Sequence, residues 1–136
     1  MSYEGASKID GKDTYVIGYQ PKSGSDLDIK MYFDAKNFRH LRTEYNRFTA
    51  ARTGSSVDGS GGQSPSRFQL VEDFSNFQNL DGLTLPGEYT ITYSYTGVSP
   101  FQAVQNANRE IQWKFRVTNF SYNQQLDDKS FKLDTK

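Results

Sequence analysis

Residues 111–117 read Ile111-Gln112-Trp113-Lys114-Phe115-Arg116-Val117. Apolar and polar positions alternate without a break. A period of two marks a β-strand with one buried face and one wet face, because successive side chains leave a pleated backbone on opposite sides. The same rhythm extends through the chain. Tyr89, Ile91, Tyr93 and Tyr95 alternate with Thr90, Thr92 and Ser94. Leu27, Ile29, Met31 and Phe33 alternate with Asp28, Lys30 and Tyr32, and Tyr15, Ile17 and Tyr19 with Val16, Gly18 and Gln20. No window of comparable length carries the spacing of an amphipathic helix. The pattern predicts an all-β domain: a curved antiparallel sheet, a meander or incomplete barrel, with little helix.

The punctuation agrees with the rhythm. Asp10-Gly11 and Asp81-Gly82 supply the positive φ values of two-residue hairpin turns. Pro21-Lys22-Ser23-Gly24-Ser25 punctuates a longer connection, and Asp34-Ala35-Lys36-Asn37 reads as a type I turn, with Asn37 as the residue that tolerates a left-handed backbone. Strands are expected at Phe68–Glu72 and around Leu80–Pro86, with Pro86 at an edge or strand end because it lacks a donor. Residues 49–66 contain Asp58-Gly59-Ser60-Gly61-Gly62 and read as a flexible Gly/Ser-rich loop within a single domain, 1–136. Residues 98–108 read as irregular, with a short helical turn.

Composition narrows the function. Hydrophobic residues make up 35% and aromatic residues 15%, with ten Phe and nine Tyr, so the apolar surface is built mainly of rings. The absence of cysteine removes disulfides and thiolate chemistry. Sixteen basic side chains balance sixteen acidic ones, so no global field draws in nucleic acid. A mean hydropathy of -0.78 and short apolar runs exclude a transmembrane helix. Met1-Ser2-Tyr3-Glu4-Gly5 carries no signal-peptide pattern, an expectation that leaves export open.

Catalytic constellations are scarce. The sole histidine, His40, is expected on the same face as Arg42 and Glu44, in a solvent-facing polar ladder. Glu72 and Asp73 are adjacent and should face opposite ways; Asp26 and Asp28 share a face but fall short of the ligands calcium needs; Asp127-Asp128 lies in a polar tail. Arg39, His40, Arg42, Arg47 and Arg52, interleaved with Phe38, Tyr45 and Phe48, resemble a single-strand-binding mixture, but Glu44 and the neutral chain weigh against nucleic acid. Asn119-Phe120-Ser121 matches a glycosylation triplet inside an expected strand. The residues predict no enzyme, no metal and no cofactor.

The order of these pieces resembles the C-terminal half of the LolA/LolB-like superfamily, the periplasmic outer-membrane lipoprotein carriers and their relatives. The likeness rests on Asp10-Gly11-Lys12, Pro21-Lys22, Met31-Tyr32-Phe33-Asp34-Ala35 before Phe38-Arg39, Asp81-Gly82-Leu83-Thr84-Leu85-Pro86, and a closing Phe120, Asn123, Leu126-Asp127-Asp128 and Phe131. The resemblance implies an incomplete barrel, capped by helices, that shelters acyl chains on its concave face. It implies a periplasmic or otherwise exported protein.

Candidate ligand-lining residues follow from the alternation: Tyr15, Ile17, Tyr19, Leu27, Ile29, Met31, Phe33, Tyr89, Ile91, Tyr93, Ile111, Trp113 and Phe115. Two readings stay open. In one, this face binds an apolar ligand, a lipid or the acyl chain of a lipoprotein. In the other, the aromatic face packs as ordinary core, on a partner subunit or on a missing N-terminal half, with homo-oligomers forming through unpaired strand edges.

Overall fold

The computed structural model describes residues 1–21, 26–50, 65–98, 106–121 and 125. They form one seven-stranded antiparallel sheet: β1 (Ser2–Ile9), β2 (Lys12–Tyr19), β3 (Leu27–Asp34), β4 (His40–Thr49), β5 (Ser66–Leu80), β6 (Leu83–Val98) and β7 (Asn106–Arg116). Spatial order equals sequence order, and the sheet does not close into a barrel. Each strand pairs only with its chain neighbours, the simplest meander. The described residues contain no helix.

The tight turns form as their residues dictate. Ile9 pairs with Lys12 across Asp10 (φ 48°) and Gly11 (φ 78°), and Leu80 pairs with Leu83 across Asp81 (φ 49°) and Gly82 (φ 83°). Both are two-residue turns with positive φ at both central positions, the geometry that follows strand twist. In the β3–β4 connection, Asp34 Oδ1 accepts from the backbone N–H of Lys36 (2.8 Å) and Asn37 (3.2 Å). Those donors, the Lys36 N–H first, hold the Asp34 carboxyl below its usual range. The left-handed residue is Phe38 (φ 57°), not Asn37; Asn37 instead accepts the Arg39 N–H through Oδ1 at 3.0 Å.

Two strands run longer than expected. β5 continues from Ser66 to Leu80, and β6 from Leu83 to Val98, paired along nearly their whole length. Asn76 (φ 51°) interrupts the pairing locally, yet the register is the same on either side. Pro86 lies within β6 but beyond the β6–β7 register, which starts at Glu88, so its missing donor breaks no bond to β7. The β4–β5 hairpin closes with Thr49 opposite Ser66. Most of the Gly/Ser-rich segment lies outside the described residues, as do 99–105 of the stretch read as irregular and the motif residues from Asn123 to Phe131; Val98 and residues 106–108, read as irregular, are strand, because β6 and β7 pair out to Val98 and Asn106. Asn119-Phe120-Ser121 lies after β7, not within a strand.

Domains ordinarily bury a sheet face against a second layer. Among the described residues there is one layer. The buried apolar side chains are Ile9, Val16, Ile29 and Leu41, and the fully buried side chain is Thr14, whose hydroxyl donates to the Ser7 carbonyl at 3.1 Å. Most of the aromatic surface is at least partly in contact with water.

Candidate functional site

Residues directly opposite in an antiparallel pair project to the same side. Following the register strand by strand therefore assigns each side chain to a face. The central row runs Tyr3, Ile17, Met31, Thr43, Glu72, Ile91 and Trp113, one residue from every strand. Beside it run Tyr19, Ile29, Tyr45, Leu70, Tyr93 and Ile111, from β2 to β7. On the other flank Tyr15 pairs with Phe33, Phe33 with His40, Phe74 with Tyr89, and Tyr89 with Phe115. Leu27 opens a fourth row with Arg47, Phe68, Tyr95 and Arg109. All thirteen alternation-derived residues thus project from one face, though they come from only four of the seven strands.

That face also gathers residues the periodicity did not single out: Tyr45, Phe68, Leu70, Glu72, Phe74 and His40. The Phe68–Leu70 alternation was legible but stops at the charged Glu72. His40 was assigned to the wrong face. A one-residue bulge at Leu41, between the Tyr32–Arg42 and Phe33–His40 pairs, reverses the parity of β4. His40 therefore leaves the polar face of Arg42 and Glu44 and stacks between Phe33 (5.1 Å between centroids) and Phe74 (4.8 Å).

The consequence is a ring ladder. Phe33, His40, Phe74, Tyr89 and Phe115 succeed one another across β3 to β7, the last two steps at 5.1 and 5.8 Å. Each step is close to the inter-strand spacing of about 4.8 Å, so stacking and backbone pairing reinforce each other. Tyr3, Tyr15 and Phe38 form a shorter run at 6.2 Å per step. Burial lowers the His40 pKa from its ordinary 6.5, against the opposing effects of the Arg42 carbonyl and Glu72. Its Nε2 lies 3.0 Å from that carbonyl and 2.8 Å from Thr43 Oγ1.

One carboxylate lies in the middle of this surface. Glu72 Oε2 accepts from the Tyr45 hydroxyl at 2.9 Å, and Oε1 accepts from the Tyr89 hydroxyl. Burial first, then the bond to Glu72, pushes the Tyr89 phenol up to about 12; the Tyr45 phenol is raised by the same causes. Among the described residues no Lys, Arg or His forms an ion pair with Glu72.

The opposite face carries most of the paired charges, and also projects Ile9 and Val16, both buried. Lys30 meets Glu4 at 3.1 Å, Arg42 bridges Asp73 (2.6 Å) and Glu44 (3.8 Å), and Glu88 holds Arg116 (3.0 Å) and Lys114 (3.3 Å). The Tyr32 hydroxyl donates to Glu44 at 3.1 Å, and Asn46 accepts from Gln69 at 3.0 Å. The basic cluster of the sequence is dispersed by this geometry: His40 is on the apolar side, Arg39 stands 5.4 Å over the Phe77 ring, Arg47 pairs with Asp26, and Arg52 lies outside the described residues. Adjacent Glu72 and Asp73 face opposite ways, as strand geometry requires.

The apolar face is open at its margins. Trp113 is 45% exposed, Ile111 47% and Phe115 50%. Ile29, at 8%, is core rather than lining. At the β1–β3 end, Met1, Ser2, Tyr3, Ile17, Met31 and Phe33 border an open depression of about 510 Å³. A smaller depression of about 250 Å³ is lined by Glu4, Gly18, Asp26 and Asp28 among others, but its Glu4 and Asp26 carboxylates are already paired with Lys30 and Arg47. No helix among the described residues is long and apolar enough to cross a membrane. No protein-family model, curated protein or solved structure matches the chain.

Proposed function

We propose that the protein is a non-enzymatic binder of an apolar ligand, a lipid or acyl chain, held on the ring-bearing face of the sheet. The observation that carries this reading is the segregation of the two faces. One side carries most of the ion pairs, although Ile9 and Val16 are buried there, and the other gathers aromatic and aliphatic side chains from all seven strands around Thr43 and Glu72, with the rings at its margin half exposed. A contiguous apolar surface of this kind loses free energy when covered, at about 25 cal/mol per Å². The open depression beside Tyr3 and Met31 has a volume in the range of small-ligand sites. The resemblance to lipoprotein carriers points to the same ligand class and to an exported setting in the cell envelope.

A second reading has its own support. β1 and β7 are each paired on one side only among the described residues, so a partner protein or a second copy could add to the sheet or cover its face. Lipid extraction followed by native mass spectrometry separates the two. Co-purifying acyl chains, reduced in Ile111→Glu and Trp113→Glu proteins that retain their β-sheet circular dichroism, support the binder. A ligand-free protein that binds no added fluorescent fatty acid would shift the conclusion to the interaction domain. Ile29 is unsuited to this test, because a charge at that buried position would unfold the sheet.

A further inference from the structure

We propose that the occupant of the apolar face is an amphiphile bearing an ammonium group, with Glu72 as its anionic contact. This rests on the ligand-binding reading above and specifies the chemistry of the head group. Glu72 lies at the centre of the face, in the row that includes Met31, Ile91 and Trp113. Two tyrosine hydroxyls occupy one acceptor position on each of its oxygens, which leaves further lone pairs open. While the face is wet, water satisfies them. An apolar occupant expels that water, and a carboxylate desolvated without a cation is costly. The cations that the ring-bearing face does pair, Lys8 and Arg47, are held by Asp13 and Asp26, and no cation among the described residues pairs with Glu72, so a cationic occupant would supply the charge that an uncharged one leaves unmatched.

The surroundings select the form of the cation. Aromatic rings attract an ammonium through their negative faces, and Tyr45, Tyr89 and the exposed Trp113 stand on the strands around Glu72. The apolar rows to either side suit an alkyl chain. An alkyl chain laid over the rings brings no polar group that needs a partner.

Trp113 is the sole tryptophan and reports on the face directly. Its fluorescence can be titrated with dodecylammonium, dodecanol and dodecyl sulfate, each below its micelle-forming concentration. The expected result is that the cation binds about tenfold more tightly than dodecanol, the scale of one charge-assisted contact, with the sulfate weakest. Glu72→Gln should abolish the preference and leave dodecanol binding intact. Equal binding of cation and alcohol by the unaltered protein, or a preference that survives Glu72→Gln, would overturn the proposal and leave the ligand-binding reading standing. No binding of any of the three would overturn both. Should Glu72→Gln misfold, the unaltered protein decides alone: the preference must shrink as salt is raised, and a salt-independent preference refutes it.

Discussion

At the scale of single residues, the face is governed by polar groups held within an apolar surface. The Tyr89 hydroxyl spans from the ring ladder to Glu72, and burial with that bond raises its pKa to about 12. An unfolded tyrosine ionises near about 10. The folded protein therefore keeps this proton longer than the unfolded chain. The stabilisation is whole below about pH 10 and is lost as pH rises toward about 12. Denaturant melts across that window should fall more steeply for the unaltered protein than for Tyr89→Phe; parallel profiles would remove Tyr89 from the account. His40 acts in the opposite direction. Burial between Phe33 and Phe74 lowers its pKa below 6.5, so the unfolded state takes up a proton that the folded state resists. Its contribution is present above that value and is lost as pH falls through the folded pKa. His40→Phe should retain more of its neutral-pH melting temperature at pH 5 than the unaltered protein retains, and a difference that does not change with pH would contradict this.

At the scale of elements, the irregularities decide what faces where. The bulge at Leu41 moves His40 into the ring ladder while Arg42 and Glu44 stay on the polar side. The β5–β6 hairpin depends on a close approach at Gly87. A Cβ there would lie 2.6 Å from the Asn76 carbonyl oxygen, a backbone atom that cannot swing aside. Gly11 differs: it has φ 78° with open space around it, so alanine there meets only backbone strain. Gly11→Ala should destabilise by about 1 kcal/mol. Gly87→Ala should cost more, about 1–3 kcal/mol, because the two strands must move apart. Urea midpoints in the reverse order would show that the hairpin yields more readily than this packing implies.

At the scale of the whole molecule, the single layer formed by the described residues has two different surfaces. The polar side gains little from its ion pairs individually, about 0–1 kcal/mol each, and mainly keeps that side in water. The row from Tyr3 to Trp113, apolar except at Thr43 and Glu72, crosses six inter-strand gaps, a width of about 29 Å. Left uncovered, such a surface should self-associate. Sedimentation velocity is expected to show concentration-dependent association of the unaltered protein, relieved by bound amphiphile and by Trp113→Lys. A monomer at every concentration would show that the margin rings are too dispersed to act as one patch.

The sequence by itself determined the strands and the composition of the faces. Alternation such as Ile111, Trp113, Phe115 is a local property, and Asp10-Gly11 and Asp81-Gly82 fold into hairpins through their own backbone preferences. Because short turns leave neighbouring strands adjacent, a meander follows almost directly. Only the tertiary structure decided how the faces line up. The bulge at Leu41 inverts parity without a sequence signature, which is why His40 could not be placed from alternation. Glu72 is legible only as the charged end of the expected Phe68–Glu72 strand; cross-strand register brings Tyr45 and Tyr89, 27 and 17 residues away along the chain, onto its two oxygens. Periodicity is written in neighbouring residues, but register is set by pairing between strands, and the candidate site is a product of register.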